Sequence, residues 1–202
     1  SGFRSLMTEQ RERAKADARA RKEGIAGVTA YRSILDTGGT TSFTGYDEII
    51  TEGRVTGLLR DGEIVSQAGT GDHLEIITNR SPFYAEAGGQ LGDHGVIVTP
   101  DGARAEVYDV QTPVPGLFVH RARVTEGEFI SGCDIVGMVD VERRRAISRA
   151  HTATHLVHRA FRQLLGDTAT QMGSENAPGR FRFDFPHSAA VPESVLRDAE
   201  AI

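Results

Sequence analysis

The spacing of hydrophobic positions changes character twice along this chain. Phe3, Leu6 and Met7 open a stripe that continues through Ala14 and Ala18, which predicts one amphipathic helix over residues 3–23, stopped by Gly24. From about Ile25 to Val141 the apolar period becomes two. Short strands are expected at 54–59 and 64–68 around the turn Asp61-Gly62, at 73–78, at 96–99 and 104–110 around Pro100-Asp101-Gly102, at 117–124 and at 134–141. The helical period then returns over Val141–Leu165, and Gly166 stands where a C-terminal cap belongs. Arg180–Phe185 alternates Phe181, Phe183 and Phe185 against Arg180, Arg182 and Asp184, a strand with one aromatic face. Pro192–Ile202 reads as the opening of another helix, so the last part of the fold is expected to be incomplete. The class is α+β: an N-terminal helix (1–27), a β-barrel-like or sandwich region (28–140), then a truncated α/β region (141–202).

Composition narrows the setting. With 202 residues the chain can bury a real core, and 23 glycines agree with many turns. No apolar run approaches the length that crosses a membrane, and a membrane partner is not expected. The single cysteine, Cys133, excludes an internal disulfide framework and fits a reducing, cytoplasmic setting. A net charge of -5 argues against a protein that coats nucleic acid indiscriminately, but leaves room for a local basic patch. Two such patches exist: Arg11–Lys22, diluted by acidic residues, and Arg143–Arg149, which is less so. Oligomeric state is left open.

Candidate chemistry concentrates in His151-Thr152-Ala153-Thr154-His155. Two histidines four residues apart on a helix stand one turn above the other, within reach of a single metal ion. His151, Thr154, His155 and His158 share one sector of the helix, next to an apolar sector of Ala150, Val157, Ala160, Phe161 and Leu164, with the arginines mostly opposite. The residue after His151 is Thr152 rather than the glutamate a metalloprotease requires, so peptide hydrolysis is a poor reading.

The run RAHTATHLVHRAFRQLLG, followed by TQMGS and RFRFDFPH, resembles the editing domain of alanyl-tRNA synthetases, and the upstream FYAEAGGQLGDHG resembles that domain's glycine-rich segment. Phe3–Lys22 is similar to the helical lead-in that precedes it, which favours an internal fragment of a full-length synthetase over a free-standing editing protein. The resemblance implies an α/β editing subdomain that hydrolyses the ester joining serine or glycine to tRNA(Ala). A pocket built for alanine rejects glycine by only about 1–3 kcal/mol per methyl group, and excludes an added hydroxyl poorly, so a second, hydrolytic site is needed. It implies zinc held by His151 and His155, with Thr154 and Gln171 as editing determinants. It also implies tRNA(Ala), through its aminoacylated end, as partner, and ATP with magnesium only in an aminoacylation region outside this chain. The family completes its metal site with a downstream CxxxH, and the residue four after Cys133 is Gly137. At most half a zinc site is therefore expected, binding weakly or recruiting His158, His187 or water. Gly88-Gly89-Gln90 also occurs in peptide-chain release factors. Here it reads as a turn, or as a loop bordering the editing pocket, since the release-factor reading leaves HTATH and TQMGS unexplained.

Overall fold

The computed structural model describes residues 27–202. The expected helix over 3–23 and the basic patch Arg11–Lys22 lie outside the described residues. Residues 27–38 form a helix, α1, where the two-residue period predicted extended chain. Val28, Thr29, Ile34 and Thr37 are β-branched and mask the helical spacing of Tyr31, Ile34 and Leu35. The helix is held by tertiary packing. Ile34 is buried with Leu59, Ile77, Leu117 and Val119 on the outside of the sheet. Gly57 makes the room, since a Cβ there would sit 2.5 Å from Ile34 Cδ1. Tyr31 anchors the contact by donating its hydroxyl to Glu75 at 2.6 Å.

The strands are β1 (Ser42–Phe43), β2 (Ile50–Arg60), β3 (Glu63–Val65), β4 (Gln67–Gly69), β5 (His73–Thr78), β6 (Arg80–Ser81), β7 (Gly95–Val98), β8 (Arg104–Val114), β9 (Leu117–Glu126), β10 (Glu128–Ile130) and β11 (Asp134–Val139). The main sheet runs β11-β7-β8-β9-β5-β2-β3, and a further pairing of β11 with β2 closes it. Closure decides for a barrel over a sandwich and leaves six strands without a free edge. Alternate residues point inward, as in β9, so Val55, Leu58, Ile76, Phe83, Ile97, Val124, Phe129 and Ile135 fill one interior. The Asp61-Gly62 hairpin stands as expected, with both residues at positive φ (53° and 80°).

Helix α2 (Val141–Leu165) leaves the barrel directly from β11. Asp140 caps it by accepting from Arg143 N at 3.0 Å, and Gly166 ends it by donating to Arg162 O at 3.1 Å. Two strands cover its far half: β12 (Gly173–Ala177), which the sequence pattern did not predict, and β13 (Arg180–Asp184), paired antiparallel. Phe183 and Phe185 of this aromatic segment pack on His158 and Phe161 of α2, with ring centroids 5.2 Å and 5.0 Å apart. Helix α3 (Glu193–Ala201) follows.

Candidate functional site

The basic patch on α2 resolves into separate roles. Arg144 turns into the barrel instead of lying opposite the histidines. Its Nε donates to Asp93 Oδ2 at 3.0 Å, Nη1 to Gly45 O at 3.0 Å, and Nη2 to Pro82 O and Asp93. Asp93 is 1% exposed and also accepts from Tyr84 N at 2.7 Å. The glycine-rich segment, α2 and the barrel are thus locked at one buried ion pair. Arg143 lies beside His94, and burial lowers the pKa of each from its ordinary value, helped at His94 by the Arg143 charge. Arg145 pairs with Glu142 at the surface.

Between the ion pair and β12 the chain turns sharply. Gly88 and Gly89 have φ of 59° and 78°, and Ala87 and Gln90 exchange backbone hydrogen bonds across them. A Cβ on Gly89 would sit 2.5 Å from the Ser174 carbonyl oxygen and overlap the Ser174 hydroxyl. The turn is clipped to β12 on both sides: Asn176 N donates to Gly89 O at 2.7 Å and Leu91 N to Asn176 O at 3.3 Å. Close packing on β12 therefore requires a glycine at position 89.

The four residues singled out in the sequence gather around this turn. His151 and His155 stack with ring centroids 4.9 Å apart and planes inclined by 26°. His151 Nδ1 lies 2.8 Å from Gln90 Oε1. Thr154 does not share the wet sector of the histidines: it is 2% exposed, with Oγ1 3.0 Å from Ala150 O and 2.6 Å from Asn176 Oδ1. A hydroxyl has one proton, and Asn176 Nδ2 is buried without a partner. Turning the carboxamide over satisfies both groups, because Nδ2 then donates to Thr154 Oγ1 and the Thr154 proton goes to Ala150 O. In either orientation one amide atom of Asn176 stays open. Gln171 is exposed and donates to Ser174 Oγ at 2.9 Å, the same hydroxyl that backs Gly89. The sequence pattern missed Asn176, whose neighbours in β12 carry no periodicity, and missed the link from Gln90 to His151.

The donor set fits half of a tetrahedral zinc site. Two neighbouring imidazoles are present, and an acceptor on Nδ1 of His151 leaves its Nε2 lone pair free. Among the described residues no group of three or more His, Cys, Asp or Glu is assembled. His158 turns onto Phe183, and His187 onto Phe185, with its Nδ1 2.6 Å from Ala189 O. Cys133 packs against the barrel core, where burial raises its thiol pKa.

The family model for class II (A) tRNA synthetases matches residues 1–143. The chain belongs to that family. It is 59% identical to an alanine–tRNA ligase of Nocardioides sp. over 201 residues, 99% of the chain. It is 56% identical to the alanine–tRNA ligase of Acidothermus cellulolyticus and 53% to that of Streptomyces avermitilis, each over 98% of the chain. The chain spans 22% of the length of these relatives. The synthetase match covers the barrel and the first residues of α2, and the relatives extend it across the histidines and β13. Among the described residues no helix is long and apolar enough to cross a membrane.

Proposed function

We propose that this synthetase segment is the editing module of an alanine–tRNA ligase, hydrolysing the ester of seryl- or glycyl-tRNA(Ala). The carrying observation is the convergence of His151, His155, Gln90, Thr154, Asn176 and Gln171 on one glycine turn, in a chain 59% identical to such a ligase. The parent enzyme would attach alanine to tRNA(Ala) with ATP and magnesium in a separate region, working in the cytoplasm.

In this reading His151 and His155 hold a zinc ion, which when bound supplies Lewis acidity or a fixed point of attachment beside the ester carbonyl. The remaining work belongs to the chain. Gln171, exposed at the rim, orients a polar group of the aminoacyl moiety through its amide. Thr154, whose hydroxyl is buried, acts through Asn176, which ties α2 to β12 and so holds the glycine turn at the edge of the pocket. Gly88 has open space where a Cβ would stand and lets the terminal ribose approach the backbone. Water adds across the ester, giving the free amino acid and the terminal hydroxyl of the tRNA.

The test is deacylation of serine-charged tRNA(Ala) by the full-length ligase, with the alanine-charged form as control. Selective hydrolysis of the serine ester is expected, and His151→Ala, which removes a ligand rather than a partner that orients one, should slow it by roughly 100-fold or more with tRNA affinity unchanged. The exposed Arg149 and Arg159 of α2 favour a second reading, a module that positions tRNA without hydrolysing it. Lost tRNA binding by a folded His151→Ala protein would select that reading instead.

A further inference from the structure

We propose that Gln90 is a positioning residue that fixes the tautomer of His151, with the proton on Nδ1 and the Nε2 lone pair presented beside His155. This rests on the reading of His151 and His155 as a shared metal pair.

A neutral imidazole has one N–H and one lone pair, and the group that accepts at one nitrogen decides which nitrogen is free to ligate. His151 Nδ1 lies 2.8 Å from Gln90 Oε1, an atom that only accepts. With Oε1 against the ring, the proton belongs on Nδ1 and the lone pair on Nε2. The opposite amide orientation would place a donor against Nδ1, put the ring proton on Nε2 and block ligation there.

Gln90 can impose this because its own backbone has little freedom. It closes the Gly88-Gly89 turn through two hydrogen bonds with Ala87, at 3.2 Å and 3.0 Å. Its two neighbours are bound to Asn176, by Asn176 N to Gly89 O and by Leu91 N to Asn176 O. The close packing of Gly89 on Ser174 removes the remaining slack. On the other side, Asp93 three residues further on is held by Arg144 of the same helix that carries His151. The amide and the imidazole are thus tied to one frame, although 61 residues separate them in sequence. His155, which is exposed, stacks on His151. A glutamate at position 90 would accept from Nδ1–H equally well, whereas a leucine would fill similar space and accept nothing.

The experiment reads the ring nitrogens and the metal separately. Nitrogen-15 chemical shifts of His151, taken where the imidazole is neutral, report the tautomer in the metal-free protein. Zinc affinity is measured by competition with a chromophoric chelator. The wild-type chain should show Nδ1–H at His151. Gln90→Leu should lose that preference and bind zinc roughly 10- to 100-fold more weakly, and Gln90→Glu should keep the tautomer and the affinity. A wild-type ring protonated on Nε2 overturns the proposal, as does a folded Gln90→Leu protein that keeps both tautomer and affinity. A wild-type full-length ligase, the form in which zinc affinity is measured, that binds no zinc refutes the metal reading, and the tautomer in the wild type and Gln90→Leu then decides the role of Gln90 by itself. An unchanged urea midpoint in Gln90→Leu, and the behaviour of Gln90→Glu, separate positioning from a general loss of fold.

Discussion

Gly88 and Gly89 are neighbours in one turn, both at positive φ, yet they face different constraints. At Gly88 nothing lies within 4 Å of an added Cβ, so alanine there meets only the backbone penalty of the left-handed region, about 1–2 kcal/mol. At Gly89 the same penalty is joined by overlap with Ser174, part of it with an immobile carbonyl group. Gly89→Ala should therefore destabilise by about 3 kcal/mol or more, clearly beyond Gly88→Ala, as read from urea unfolding. Equal effects would mean that β12 does not hold the turn. The site was legible in the sequence where its residues are close together: His151, Thr154 and His155 lie on successive turns of one helix, and their spacing alone places them as neighbours. Gln90 and Asn176 were not legible, because one stands 61 residues before His151 and the other in a segment, Gly-Ser-Glu-Asn-Ala, without any hydrophobic pattern. Spacing also misplaced Thr154. A helical wheel assigns it a sector but cannot show that Asn176 covers that sector from outside.

The elements differ in the same way. The end of α2 could be read from local chemistry, Gly166 standing where the helix stops, since a cap acts within a turn of the helix. The hairpin at Asp61-Gly62 was legible for the same reason. Helix α1 was not, because its stability comes from Ile34 seated over Gly57, and β12 was not, because it exists through pairing with β13. What fixes α2 against the barrel was equally hidden: Arg144 and Asp93 lie 51 residues apart. Two adjacent arginines therefore give a sharp comparison. Arg144→Met leaves the Asp93 carboxylate buried without its partner and should cost about 3–5 kcal/mol, with faster amide exchange in the first turns of α2. Arg145→Met breaks only the exposed pair with Glu142 and should cost less than about 1 kcal/mol. Similar unfolding midpoints for the two variants would show that the buried pair does not dock the helix.

Across the whole molecule, closure of β11 on β2 turns the sheet into a barrel with one interior, and no local signal in either strand announces that pairing. Among the described residues, one ionisable ring, that of His120, is fully buried in the interior. His120 has no exposed surface; its Nδ1 donates to Ile76 O at 2.8 Å and its Nε2 accepts from Ser81 Oγ at 2.7 Å, with Phe83 edge-on at 5.3 Å. Ser81 in turn accepts from Phe83 N, which ties the short β6 segment to β9. Burial pushes the His120 pKa down to about 4, against a small opposing effect of the Ile76 carbonyl. The unfolded chain binds this proton near pH 6.5, and the barrel does not until about pH 4. Stability is therefore complete above pH 6.5 and falls as the pH drops through this window, by about 1 kcal/mol at pH 5.5 and about 3 kcal/mol in full. His94, also depressed by burial, contributes with the same sign. Carboxylates such as Glu48, held below its ordinary value by the Thr51 hydroxyl, enter only at lower pH. Urea unfolding between pH 7 and 5 should thus show a stability that declines with acid, and His120→Gln should flatten that slope while lowering stability at pH 7. An unchanged slope in His120→Gln would assign the acid sensitivity to His94 and the surface rather than to the ring that joins β5, β6 and β9 inside the barrel.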